Sequence, residues 1–407
     1  MRVLISGAGI GGPALAYWLV RQGHDVTVVE RATEPRRGGQ AVDLRGVARD
    51  VAARMGILPA VRAATVPERG LAYVDASGRV LARMPVEAFG GEGIVADIEI
   101  LRGDLAAILH RASAGAEYRY GDSIAGLQQD ADGVTVAFER STTRRFDLVV
   151  GADGIHSRVR ALAFGDESRY VRPLGAYTSF FTVPDYYPRN GDDGWLLFHS
   201  VPGQRTAAVR PERGRNAQAM FAFAAPPGRL ERSPAPNQKE AIAAIFADVG
   251  WEVPRLLAAL PDADDFYFDL YGQVHLDRWS AGRVVLLGDA GYSPSPLTGL
   301  GTSLALVGGY ILAGELATAG DQQTACTRYE QRMRGYVTRA QQLPPGGING
   351  FLPRTALAIR LRNRSLRMAA HWPVRALIAR QFRKADAIDL PDYPGALDER
   401  IPDVHAH

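Results

Sequence analysis

The residues best equipped for chemistry are glycines and acids standing at the ends of apolar strands. The chain opens with Val3-Leu4-Ile5-Ser6-Gly7-Ala8-Gly9-Ile10-Gly11-Gly12, and Glu30 closes the next apolar run, Asp25 to Val29. That pattern binds a dinucleotide: Gly7 permits the tight turn, Gly9 lets a pyrophosphate approach the backbone, and Gly12 lets helix and strand pack closely. A helix starting here offers unpaired N–H groups and a positive dipole end to phosphate. Glu30 stands roughly 20 residues beyond the glycines, where a carboxylate accepts hydrogen bonds from a ribose diol. Two further strands end in acids, Asp147 to Gly151 before Asp153-Gly154, and Arg283 to Leu287 before Gly288-Asp289. The second leads through Pro296 and Gly299-Leu300-Gly301 into a long apolar segment. Three separated strand ends then converge on one ligand.

The elements that must position these residues can be read from periodicity. Residues 2–6 and 25–30 are strands and 11–22 a helix, the order that a glycine fingerprint requires. Residues 71–84 form a hairpin turning at Ser77-Gly78, and Arg102 to Ala114 a helix. Strands follow near 116–120, 124–129, 133–139 and 145–150. From 173 to 273 the pattern becomes alternating and aromatic-rich, with strands at 176–183, 194–200, 205–211 and 217–224 and a helix near 238–249. This region is expected to form an antiparallel sheet over the ligand, lining an apolar pocket with aromatic residues from Phe180, Phe181, Trp195, Phe198, Phe221 and Phe223. The chain returns to the first domain at 283–287 and is helical beyond 320, over Thr324 to Gln342 and again over 352–384.

The expected fold class is therefore α/β. A discontinuous Rossmann-like three-layer domain occupies 1–70, 100–172 and 274–320, a substrate domain 71–99 and 173–273, and a helical region 321–407. A chain of 407 residues with 46% hydrophobic and 22% charged content is long enough for such domains. Lys239 and Lys384 are the only lysines among 47 basic residues, which reads as coding bias. A net charge of +3 argues against a nucleic-acid partner. Cys326 is the sole cysteine, so disulfides, paired redox cysteines and cysteine-rich metal sites are excluded, and no metal cluster or Ser/His/Asp triad competes. The expected setting is cytoplasmic, with no signal peptide ahead of the first strand. Residues 290–314 lack charge, but prolines and glycines interrupt them, so a buried helix is expected and not a membrane span. The 352–384 segment carries eight arginines, Lys384 and no acid; it is read as a helix packed on the first domain and not on a membrane.

Taken together, these motifs resemble the FAD-dependent aromatic hydroxylases, the single-component flavoprotein monooxygenases, over residues 1–320. Glu30-Arg31, Gly38-Gly39-Gln40-Ala41-Val42-Asp43 and Arg102-Gly103-Asp104-Leu105 are similar to elements of the tetracycline-inactivating and antibiotic-tailoring subgroup. The resemblance implies FAD held by Gly7, Gly9, Ile10, Gly11, Gly12, Glu30, Arg31, Asp43, Arg102, Asp153 and Asp289. Backbone N–H groups of Gly299, Leu300 and Gly301 would face the flavin pyrimidine edge. Pro296 and Tyr292 are expected at the flavin face, where no protein catalytic residue is identifiable. His199, Phe221, Phe223 and Pro296 are expected to touch substrate. The sequence departs from the common family form at Leu300, Ser303 and Gly308.

Only one dinucleotide fingerprint is present, so NADPH or NADH is expected as a transient co-substrate, drawn in by Arg36 or Arg37. The resemblance implies that hydride reduces FAD, that O2 adds at flavin C4a, and that the hydroperoxide oxygenates an aromatic or polyketide-like small molecule. The cofactor carries the difficult chemistry and the protein keeps it dry. A monomer or homodimer is expected. Two other readings compete: a flavin-dependent halogenase, disfavoured because Trp195 lacks a partner in a Trp-x-Trp motif, and a non-catalytic flavoprotein that sequesters a small molecule.

Overall fold

A computed structural model describes residues 1–35, 38–66, 68–86, 96–186, 194–212, 216–228, 230–369 and 383–393. It is α/β, built on two large sheets. The first has six strands in the order Ser280–Ala281, Val284–Leu286, Leu148–Gly151, Arg2–Ser6, Asp25–Glu30 and Glu117–Tyr120, parallel except at the Ser280–Ala281 edge. Its central strands are continuous apolar runs because helices and a second layer cover both faces. Val3, Leu4, Ile5, Val149 and Val150 are fully buried. Helices Gly11–Arg21 and Gly301–Thr318 pack against one another, and Gly309 allows the close approach: a Cβ there would stand 3.3 Å from the Leu15 amide nitrogen. The second of these helices is the uncharged segment, and it is buried along most of its length. Among the described residues no helix is long and apolar enough to cross a membrane.

The strand expected over 145–150 is two strands. Arg144–Phe146 pairs antiparallel with Val134–Phe138, whereas Leu148–Gly151 pairs parallel with Arg2–Ser6. The chain changes sheet at Asp147, whose carboxylate accepts the Arg2 N–H at 2.7 Å.

The second sheet has seven strands in the order Tyr267–Val274, Val171–Val183, Ala217–Ala224, Arg205–Pro211, Trp195–Val201, Gly70–Val74 and Val80–Pro85. The strands from 171 to 274 pair antiparallel throughout, as expected, and Gly70–Val74 joins them by running parallel to Trp195–Val201. The 70–85 hairpin does turn at Gly78, where φ is +81°.

Register decides which aromatic residues face the ligand. Phe221 lies opposite Ser179 and Ala207, and Phe223 opposite Tyr177, on one face of the sheet. That face is covered by helix Ala235–Phe246, whose Phe246 ring lies 4.7 Å from Phe221. Phe180, Phe198 and Met220 occupy the other face. Trp195 and Phe181 side with the core face, so only part of the expected aromatic supply is available to a ligand.

Arg210, on the second sheet, donates to Glu99 of the short strand Glu99–Leu101, which pairs with Ala41–Asp43, and it stands 3.2 Å from Glu68. Burial pushes the Glu68 carboxyl up, against the pull of Arg210.

The C-terminal region departs furthest from expectation. Helix Gln322–Ala340 starts on Asp321, whose carboxylate accepts the Thr324 N–H at 2.8 Å. The following segment is broken: a short helix covers Gly347–Phe351, Pro353 interrupts the chain, and Thr355 caps a new helix over Ala356–Ala369. Among the described residues this arginine-rich helix packs chiefly on strands Val80–Pro85 and Trp195–Val201 of the second sheet, and the expected continuation over 370–382 lies outside the described residues.

Candidate functional site

Strand ends and loops from both sheets meet at one cavity of about 2420 Å3. A single small-molecule pocket holds about 300–1,000 Å3, so this one has room for a large ligand and a second molecule beside it.

At one end lies the glycine loop. Gly7 has φ +107°, and a Cβ on it would collide with the Ala152 carbonyl. A Cβ on Gly12 would overlap the Gly7 carbonyl oxygen, so Gly12 serves helix–strand packing and lies behind the cavity wall. The helix that follows has Ile10 at its N-cap, no side-chain cap and no acid in its first turn. Its first N–H groups are therefore left for a ligand. Glu30 is held rigidly, accepting the Ala8 N–H and the Ala32 N–H at 2.9 Å each. Arg31 lines the cavity beside it.

A second helix end meets the first across the cavity. Helix Gly301–Thr318 has Leu300 at its N-cap, again with no side-chain cap and no acid in the first turn. Gly299 has φ +65°, and a Cβ there would approach Asp43 Oδ2 at 2.8 Å. Asp43 pairs with the buried Arg45 at 2.8 Å. Ser303 fastens this pair to the helix: its hydroxyl accepts the Arg45 N–H at 3.3 Å and donates to the Arg45 carbonyl at 3.2 Å. Ser303, a departure from the usual family residue, thus has a positioning role. The Leu300 side chain points into the core, and only its backbone belongs to this turn.

Arg102 lies between the two helix ends. Its Nη2 would stand 3.4 Å from a Cβ on Gly9, and its charge acts on Asp289. Burial raises the Asp289 carboxyl above the ordinary aspartate range, while Arg102 and a hydrogen bond with Ser293 pull it down. A Cβ on Gly301 would lie 3.7 Å from Asp289 Oδ1, so the acid and the second helix end face the same space. Pro296 lines the wall beside them.

The comparisons with known proteins agree with this geometry. The FAD binding domain model matches residues 1–342. An uncharacterized protein of Mycobacterium tuberculosis is 43% identical over 354 residues, covering 86% of this chain and 94% of the relative. A flavin-dependent monooxygenase of an unknown prokaryotic organism is 38% identical over 402 residues, covering 96% and 99%. Among solved structures, the tetracycline destructase Tet(55) matches with a TM-score of 0.80 and 37% identity, over 96% of this chain and 98% of that one. The chain belongs to the FAD-dependent monooxygenases.

The monooxygenase's own residues fit FAD. Two uncapped helix N-termini suit a pyrophosphate and an electron-rich ring edge, and Glu30 and Asp289 offer acceptors to the two sugar-like chains. Asp153 also lines the cavity and, like Glu30, is fixed by the chain: Oδ1 accepts the Ser157 hydroxyl and Oδ2 the N–H groups of Arg158 and Val159 at 2.8 and 3.1 Å. The capped helix then presents the buried Arg160, which donates to the Ala290 carbonyl at 3.0 Å and steadies the turn that carries Asp289.

Four expected contacts are corrected. Tyr292 is buried behind the wall, its hydroxyl 2.7 Å from that of Tyr329, in space left by Gly308. His199 lies on the core face, where its Nδ1 is 3.1 Å from the Val74 carbonyl oxygen. Phe221 and Phe223 are core residues for the reason of register given above. Arg36 and Arg37 lie outside the described residues.

Sequence reasoning missed Tyr73, Met220, Phe351 and Arg362, which line the cavity, and the clamp on His156. The His156 ring sits between Glu167 at 3.1 Å and Asp269 at 3.0 Å. Hydrogen bonds to Asp269 and Glu167 raise its pKa to about 10, against the opposing effect of burial. A folded value above the unfolded 6.5 stabilises the protein fully below 6.5, and that contribution disappears as pH rises through about 10. His156→Gln should therefore melt lower than wild type at mildly acidic pH, with the gap closing in strong alkali. The half-exposed ring keeps the effect modest. Parallel melting curves at every pH would contradict the clamp.

Proposed function

We propose that the monooxygenase uses NADPH or NADH and O2 to oxygenate an aromatic or polyketide-like small molecule. The observation that carries this reading is a continuous cavity with two uncapped helix ends at one side and the apolar sheet face of Leu196, Phe198 and Met220 at the other. Bound FAD supplies the redox chemistry that activates dioxygen. The chain's residues do the remainder. Gly9–Gly11, Glu30, Asp43, Arg102 and Asp289 bind and orient the cofactor, and the N–H groups at the start of helix Gly301–Thr318 stabilise negative charge on its ring, those of Gly299 and Leu300 being taken by the Pro296 carbonyl and Thr298 Oγ1. The apolar sheet face lays a flat substrate against Pro296 and excludes water.

The names of the relatives support oxygenation, and the tetracycline destructase likeness supports a polycyclic substrate. The two sheets support a division into an FAD-binding part and a substrate part, with the Ala356–Ala369 helix closing the latter. The single fingerprint supports transient docking of the nucleotide, with Arg36 and Arg37 attracting its phosphates. Gly38 and Gly39, at φ +64° and +83°, supply the flexible backbone beside them.

The test is a panel of phenols and polycyclic aromatics offered to the FAD-loaded protein with NADPH or NADH. At least one compound should accelerate nucleotide oxidation and emerge with one added oxygen. Nucleotide oxidation that no compound stimulates, with every compound recovered unchanged, would reject the reading.

A further inference from the structure

The part of the cavity lined by the second sheet and helix Ala356–Ala369 holds two polar groups set among apolar side chains. Strand Gly70–Val74 presents Tyr73, and helix Ala356–Ala369 presents Arg362, whose guanidinium carbon lies 3.9 Å from the Tyr73 ring centre. Leu71, Phe198, Phe351 and Leu366 surround them.

Arg362 is held entirely by neutral acceptors. Nη1 donates to the Phe351 carbonyl at 3.2 Å, Nη2 to Ser200 Oγ at 3.1 Å and Asn363 Oδ1 at 3.2 Å, and Nε to Asn363 Oδ1 at 3.3 Å. A guanidinium has five N–H donors, so one on Nη1 is left over. Among the described residues no carboxylate forms an ion pair with it. The Tyr73 hydroxyl likewise has no hydrogen-bond partner among the described residues, although Tyr73 lines the cavity. Burial lowers the Arg362 pKa and raises that of Tyr73, as removal from water does to a cation and a phenol, and each group partly opposes the shift of the other.

An uncompensated guanidinium against apolar walls costs the fold stability, and an anionic oxygen arriving with a ligand offsets that cost through a charge-assisted hydrogen bond. We infer that Arg362 and Tyr73 form an anion-recognising subsite. The substrate is then a flat aromatic or enolic compound bearing a negatively charged oxygen, which takes the spare Arg362 N–H and the Tyr73 hydroxyl. This deepens the oxygenase reading and rests on it. Leu297, next to Pro296, packs against the same apolar cluster as Phe351 and Met220, and Pro296 and Arg362 line one continuous cavity. A negatively charged oxygen also makes the ring electron-rich, which suits attack on an electrophilic oxygen donor.

The test uses the FAD-loaded protein and two matched probe pairs, salicylate with salicylamide and hydroxynaphthoate with hydroxynaphthamide. Binding is followed by flavin absorbance and tryptophan fluorescence. Wild type should prefer the carboxylates by about tenfold or more, equivalent to about 1.4 kcal/mol. Arg362→Gln should abolish the preference, Arg362→Lys should keep part of it, and Tyr73→Phe should reduce it several-fold while leaving the ring beneath the guanidinium. Absence of a carboxylate preference in wild type, including failure of all four probes to bind, would overturn the subsite. So would a full preference in Arg362→Gln; if that variant does not retain FAD, an undiminished preference in Tyr73→Phe decides against it. Oxygenation is scored separately. An anion preference without oxygenation upholds the subsite and removes the oxygenase reading, and oxygenation without the preference does the reverse.

Discussion

Gly12→Ala is expected to yield nearly colourless protein that no longer retains FAD. The new Cβ would overlap the Gly7 carbonyl oxygen, which is backbone and cannot step aside without opening the turn. Overpacking of this kind costs about 1–3 kcal/mol of stability. Cofactor affinity should fall further, because the shift moves the Gly9–Gly11 N–H groups that receive the pyrophosphate. Gly320→Ala is the control, since a Cβ there meets nothing within 4 Å. Flavin absorbance per protein and the melting temperature check both statements. A yellow Gly12→Ala protein with unchanged melting would mean that the loop yields more easily than its packing indicates.

Asp289→Ala should weaken FAD binding by about 10–100-fold, the worth of losing a buried acceptor at about 1–3 kcal/mol. The loss has two parts: a ribityl hydroxyl loses its partner, and Arg102 loses the opposing charge it faces. The wild-type protein should show a related pH dependence. Burial raises the Asp289 carboxyl, so on acidification it takes up a proton before an ordinary aspartate does. FAD affinity should then decline at a higher pH than in Asp289→Asn, which has no proton to gain. Ultrafiltration followed by fluorescence of released flavin measures both. Equal retention by wild type and Asp289→Ala would remove this residue from the cofactor site.

The cofactor end was legible because its signals are local. Gly7 to Gly12, Glu30 and Asp289 each sit at a strand end, and backbone geometry leaves little choice about where such residues point. The substrate end was not legible, because alternation locates a strand without saying which face is wet. In Ala217–Ala224 both faces are apolar, so Phe221 and Phe223 looked as suitable as Met220 until pairing with Ser179 and Ala207 set the face. His199 failed for the same reason, one residue away from Phe198. Arg362 was seen only as part of a basic segment, since its meeting with Tyr73 depends on where the chain turns after Pro353. The His156 clamp likewise needs Glu167 and Asp269, which no spacing rule connects.

Isotopic labelling distinguishes monooxygenation in this cavity from any other use of reduced flavin. FAD-loaded protein is supplied with NADPH or NADH and the stimulating compound of the panel under heavy-isotope dioxygen in ordinary water. Product should carry one heavy oxygen atom, form in step with nucleotide consumed, and fall in Asp289→Ala along with FAD retention. Product oxygen drawn from water, or nucleotide consumed with all of the dioxygen released as hydrogen peroxide, would contradict monooxygenation.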